Sequence, residues 1–142
     1  MADFVVSTDK SRLDIGMIHD FLSNRSYWAK GIPRELVEKS IAGARCYGVY
    51  EGEKQVGFAR LITDEATFGY LADVFILEEY RGNGVSKLLV EYILEDPALH
   101  DLRRWVLVTA DAHTLYSRFG FSELAKPERY LEKVRPNPYG QS

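Results

Sequence analysis

The stretch "YRGNGVSKLL", Tyr80 to Leu89, sets two glycines, an arginine and a lysine directly before an apolar helical pattern. A plain surface turn needs one glycine at most. Here Gly82 and Gly84 free the backbone to curl, and the helix that follows starts with N–H groups that have no intrahelical partner, at the positive end of its dipole. Arg81 and Lys87 add formal charge beside them. That combination favours a phosphate or diphosphate held on bare backbone. The same stretch decides topology. Val85, Leu88, Leu89, Tyr92 and Ile93 share one face of a helix running from Gly84 to Glu95. Strand candidates flank it, "TFGYLADVFIL" before and "RRWVLVTAD" after. A helix joining two strands is a crossover, so these strands should lie parallel and adjacent.

The loop matches neither common nucleotide signature. Gly84 and Lys87 are not adjacent and no Ser or Thr follows the lysine, so it is not G-x-x-x-x-G-K-[ST]. Lys87 also stands where the third glycine of G-x-G-x-x-G belongs. A glycine-rich structural connection remains an equal reading of the loop alone.

Upstream of the crossover the period changes. "CYGVY", "EGEK" and "QVGFARLIT" read as a hairpin turning at Gly52, and with the strand after Asp64 they form an antiparallel meander. Before it stand a short strand, Phe4 to Ser7, and two helices. The first places Ile15, Ile18, Phe21 and Leu22 on one face; the second opens at Pro33, buries Leu36, Val37, Ile41 and Ala42, and stops at Gly43. Downstream, a short helix from about Asp111 to Phe119 ends at Gly120, and a last strand is expected near "RYLEKV". Asp111 would cap that short helix. The order is β-α-α-β-β-β-α-β-α-β: an α+β (mixed α/β) single domain over residues 1–135, with a loose tail at 136–142.

Composition narrows the function classes. The 142 residues suit one core, and 46% hydrophobic with 27% charged residues is ordinary for a globular domain. A net charge of -3 argues against a general nucleic-acid or anionic-membrane binder, so the basic loop stands out locally. One cysteine, Cys46, excludes an internal disulfide and a cysteine-based zinc cage, and its apolar setting reads as core. His19, His100 and His113 have no metal-ligand spacing, and no metal is expected. No apolar run approaches the roughly 20 residues of a bilayer span, and no secretory pattern opens the chain. The expectation is a soluble cytoplasmic protein that does not engage membranes.

A second segment, "AHTLYSRFGF", follows about 30 residues after the glycine loop. Together the two resemble the signature segments of the GNAT superfamily of acetyl-CoA-dependent N-acetyltransferases, and the order of elements resembles that fold along nearly the whole chain. Arg81, Gly82, Asn83, Gly84, Val85 and Ser86 fill the family's [QR]-x-x-G-x-[GA] loop with one departure: Ser86 stands where glycine or alanine is usual. The resemblance implies a mostly antiparallel sheet splayed at its parallel pair and flanked by about four helices. It implies acetyl-CoA as co-substrate, its diphosphate on Arg81 to Lys87 and its pantetheine arm paired with the backbone of Val74, Phe75 and Ile76. Thr109 replaces the asparagine that relatives use toward pantetheine, offering one donor rather than two.

The resemblance also assigns the chemistry: direct attack of a primary amine within a ternary complex. Tyr116 matches the tyrosine facing the CoA sulfur, where a phenol can donate to a departing thiolate. An alkylamine of pKa about 10.4 is only about 0.04% neutral at pH 7, so a carboxylate that takes its proton helps. Asp73 sits where relatives often carry an acid, with an ion-pair or turn role equally open. A backbone N–H near Phe75 would meet the oxyanion. Tyr27 and Trp28, between the first two helices, are candidate acceptor-binding aromatics, or else pin the helices to the sheet. The acceptor is a small amine, an amino acid or a protein terminus, and a homodimer fits the class. The alternative is a CoA-sensing or protein-interaction module with little turnover.

Overall fold

The computed structural model describes residues 3–140. Five strands form one sheet in the order β1-β2-β3-β4-β5: β1 Val5–Ser7, β2 Arg45–Glu51, β3 Lys54–Thr63, β4 Phe68–Ile76 and β5 Arg104–Leu107. The first four pair antiparallel, and β4 pairs parallel with β5. The parallel pair is the one bridged by a helix, α3 at Val85–Leu94, as the crossover rule requires. The β2–β3 hairpin turns through Gly52 at φ 60, a conformation that suits glycine.

Helices cover both faces. α3 and the short α4, His113–Ser117, lie over a cluster in which Val85, Leu89, Val90 and Ile93 meet Val49, Val56 and Leu61 of the sheet. On the other face α1, Ile15–Asp20, and α2, Arg34–Ala42, bury Ile18, Val37 and Ile41 against Cys46, Phe58 and Phe75. Asp14 caps α1 by accepting from the Met17 N–H at 3.0 Å. After Asp20 the helix widens into a π-type turn over Phe21–Arg25, which breaks the helical period but keeps Phe21 and Leu22 buried. Burial by about two dozen apolar side chains on two faces of one sheet supplies the stabilisation, at roughly 25 cal/mol per Å2 removed from water.

The sheet opens where β4 and β5 part. Their pairing runs only from Phe68 opposite Arg104 to Leu71 opposite Leu107. From Ala72 to Ile76, β4 continues against β3 alone. The cause is local: Asp73 has φ 52, and the β3–β4 register shifts between Phe58 and Arg60. Such a bulge bends the strand and turns its edge away from the neighbour.

Two expectations are corrected. The strand expected near "RYLEKV" does not form; residues 131–135 have no regular secondary structure and, among the described residues, no backbone hydrogen bond. The 3-10 turn Pro127–Arg129 delivers Tyr130 to the side chain of Arg104 rather than to the backbone of β5, and Pro136 and Pro138 remove two donors just beyond. Asp111 does not cap α4, because that helix starts two residues later than expected, at His113. Thr109 takes the duty instead, its Oγ1 accepting from the Ala112 N–H at 3.0 Å and, more weakly, the Asp111 N–H at 3.4 Å. In the 136–142 segment Tyr139 lies half-buried against the α1-side cluster, and residues 141 and 142 lie outside the described residues.

Candidate active site

The opening between β4 and β5 gathers most of the residues singled out in the sequence. Its floor is the unpaired edge of β4 at Val74–Ile76. Phe75 and Ile76 are buried, and Phe75 stacks on Phe21 with ring centroids 3.9 Å apart. Their side chains are therefore spent on the two cores, and what they present to the opening is backbone. The strand then runs through the 3-10 turn Glu78–Tyr80 into the glycine loop.

Gly82 and Gly84 have φ 84 and 74, left-handed values that a side chain would strain, and a Cβ at either would project into open space. Gly84 is the cap residue of α3 and offers no side chain, so the helix start is left to the backbone. The first α3 bond outside the cap is Leu88 N–H to Gly84 O, which leaves the N–H groups of Val85, Ser86 and Lys87 without intrahelical acceptors. An anion fits this cradle. Arg81 is less free than the sequence implied: its Nε donates to the Ile76 carbonyl at 3.0 Å, fastening the loop to the end of β4. Asn83 braces the turn by donating to Tyr80 O at 3.3 Å. Lys87 lies 3.9 Å from Glu91 on the exposed face of α3, a weak pair that salt screens.

Tyr116 stands on α4 with its ring buried and edge-on to Phe121 at 5.8 Å. Burial pushes its phenol up to about 12, with Tyr27 and Asp111 adding smaller upward effects. No described residue bonds its hydroxyl, which is free to donate. Thr109 keeps its own O–H to donate, having accepted from the two N–H groups of the α4 entry.

Tyr27 and Trp28 are exposed, packed edge to face at 5.0 Å, and each is tied across the opening by its polar end. The Tyr27 hydroxyl accepts from the Ala110 N–H at 3.1 Å, and the Trp28 indole donates to Asp73 Oδ1 at 2.8 Å. They do pin the segment to the sheet, but through hydrogen bonds; the apolar pinning falls to Ala29 and Ile32. Asp73 is held twice, because Arg60 Nε donates to its Oδ2 at 2.8 Å in a largely buried pair. Each carboxylate oxygen thus already has a strong donor, and the left-handed Asp73 backbone is a strained position of the kind that collects at functional sites. Arg60 was missed in the sequence, although an arginine inside the apolar strand "QVGFARLIT" was itself a signal that a buried partner existed. Cys46 is a core thiol: burial pushes it up to about 11, and only carbonyl oxygens approach it.

Comparison with known proteins identifies the family and the fold. The acetyltransferase (GNAT) domain matches residues 42–123, from the end of α2 past α4. A protein of Gibberella zeae assigned by inference as an acetyltransferase is 33% identical, with 82% of this chain and 77% of the relative covered. A crystal structure from Xanthomonas campestris pv. campestris, of a GNAT-family protein likewise assigned by inference, superposes with a TM-score of 0.95 at 47% identity over 99% of both chains. A protein of Clostridium acetobutylicum assigned by inference as an acetyltransferase, and solved with acetyl-CoA, shares the fold at a TM-score of 0.66 and 15% identity, over 94% of this chain and 96% of that one. The chain belongs to the GNAT acetyltransferase family. No helix among the described residues is long and apolar enough to cross a membrane.

Proposed function

We propose that the protein moves an acetyl group from acetyl-CoA to a primary amine by direct attack while both are bound. The observation that carries this reading is the free edge of β4 from Val74 to Ile76 leading into the open Gly82–Gly84 cradle; an unbonded phenol, Tyr116, stands on α4, the helix that follows β5. The shared fold of the Clostridium acetobutylicum protein, solved with acetyl-CoA, supports the choice of donor.

Bound acetyl-CoA supplies an activated carbonyl and a thiolate leaving group. The chain's part is to hold and to move protons. N–H groups of Val85, Ser86 and Lys87 neutralise the diphosphate, and the β4 edge aligns the pantetheine as an added strand. A β4 backbone N–H near Phe75 faces the developing oxyanion. Tyr116 O–H donates to the sulfur as the carbon–sulfur bond breaks; its raised pKa keeps it protonated throughout the neutral range. The acceptor amine rests against the Tyr27 and Trp28 rings. The two donors on Asp73 favour a role in fixing Trp28 over one as the base, so the amine's proton leaves through water.

Calorimetric titration with acetyl-CoA tests the reading, followed by thiol release with a panel of amines. Saturable binding that Gly84→Val abolishes, together with amine-dependent thiol release, is expected. Absence of saturable binding to the folded protein overturns it.

A further inference from the structure

On β3, β4 and β5 the side chains of Leu61, Leu71 and Leu107 belong to the α3-side cluster. Their neighbours Ile62, Tyr70 and Val106 therefore face the α1/α2 side, because successive strand residues alternate. The register sets these three abreast, Ile62 opposite Tyr70 and Tyr70 opposite Val106. Phe68 lies two residues back along β4 on the same face. The helices on that side leave them uncovered: none belongs to the α1-side cluster, and Ile62 and Phe68 are 44% and 40% exposed. The result is an open apolar strip two strand spacings wide, about 10 Å.

The strip leads to the slot where β4 and β5 part. Past the small side chain of Ala72, Trp28 and Tyr27 cross that slot, bonded to Asp73 on one side and to the Ala110 N–H on the other. The helix start at Val85 and the Tyr116 ring both belong to the α3 side. A donor gripped there leaves the α1/α2 side of its thioester to the attacking amine, whose body then lies on the strip.

Charge narrows the occupant. The three carboxylates carried by β4 and by the turn that joins it to β3 are all engaged, and β5 carries none. Asp73 accepts from Arg60 and Trp28, Asp64 accepts from the N–H groups of Ala66 and Thr67, and Glu65 pairs with Arg45 at 3.3 Å. Arg104, a cation, stands opposite Phe68 at the far end. A second ammonium group on the acceptor would meet apolar side chains and an arginine, with no free carboxylate of these strands to receive it.

We propose that the acceptor is a primary amine on an uncharged apolar body, an arylalkylamine rather than a polyamine, lying across Ile62, Tyr70 and Val106. The proposal rests on the acetyl-transfer reading, but occupation of the strip is measurable without turnover.

Titration calorimetry of the full chain with 2-phenylethylamine and with 1,4-diaminobutane, each with and without CoA, tests it. Saturation by 2-phenylethylamine at a Kd at least about tenfold below that of the diamine is expected. Ile62→Glu sets a carboxylate at an exposed position of the strip and should reverse that order. Ile62→Ser should weaken the arylalkylamine about tenfold. Equal or tighter binding of the diamine to the unmodified chain overturns the proposal, as does an Ile62→Glu chain that keeps the original order. Binding of neither amine, the outcome if the strip packs against a polypeptide, overturns it as well. Acetyl-CoA titration of the same samples reports on the donor alone: saturation by it without the amine preference sinks this proposal and leaves the acetyl-transfer reading standing.

Discussion

Two arginine–aspartate pairs sit on this sheet with nearly the same burial and different purposes. Asp96, beyond the end of α3, accepts from Arg45 at 2.8 Å and from the Tyr47 hydroxyl at 2.7 Å, and it also caps the following turn through the Ala98 N–H. Asp73, at the bulge of β4, accepts from Arg60 and from Trp28. The carboxylates are 7% and 10% exposed. What separates them is the third partner: Tyr47 is fully buried, whereas Trp28 is 42% exposed on a connecting segment at the mouth of the opening. The first network closes on itself and holds the sheet to α3. The second ties a partly exposed aromatic to a strained strand. A buried ion pair by itself says little about function; the exposure of what it holds says more.

The largest effect expected from breaking this contrast lies at the closed network. Asp96→Ala removes the acceptor of a buried phenol and of Arg45, and urea unfolding should show a loss of about 3 kcal/mol with acetyl transfer per folded molecule unchanged. A comparable loss of turnover would erase the distinction between the two networks. In the opening the order reverses. Tyr116→Phe should lower kcat roughly 100-fold in steady-state assays with little change in acetyl-CoA affinity or stability. Asp73→Asn, which weakens the hold on Arg60 and Trp28 together, should reduce kcat/KM for the amine roughly tenfold while kcat/KM for acetyl-CoA stays near its value. Its pH–rate profile should keep the same rising limb; a displaced limb would make Asp73 the base after all.

The smallest effect is a pH dependence shared by both regions. Tyr116 and Tyr47 are both raised by burial, so each phenol stays protonated in the folded chain when it would ionise in the unfolded one. Their stabilising contribution is whole below pH 10 and is lost as pH rises through the folded pKa, about 12 for Tyr116. Unfolding free energies from urea titrations at pH 9.5 and above should fall less steeply in Tyr116→Phe, by on the order of 1 kcal/mol. Equal slopes would mean that the Tyr116 hydroxyl is wetter than its buried ring implies.

Much of the site was legible along the chain because it depends on backbone conformation. Two glycines before an amphipathic run state a left-handed turn and a bare helix start, and both are present at Gly82 and Gly84. The strand assignments around the crossover held for the same reason, since periodicity and topology rules act locally or through one connection. Arg60 was not found, because its meaning lies in a partner 13 residues away on the next strand. The Tyr27–Ala110 bond spans 83 residues and leaves no pattern at all. The final strand was misread because "RYLEKV" has the side chains of a strand, whereas a strand also needs a neighbouring edge to pair with.

By itself the sequence determined the two-faced core, the parallel crossover and the left-handed glycine turn that opens α3, all consequences of residue spacing and glycine freedom. Tertiary structure alone decided that Asp73 is clamped by Arg60 and Trp28, that Thr109 and not Asp111 starts α4, and that the segment after Tyr130 pairs with no strand among the described residues. The reason is physical: spacing encodes which way a side chain points, but a hydrogen-bond partner exists only once distant segments have been packed together.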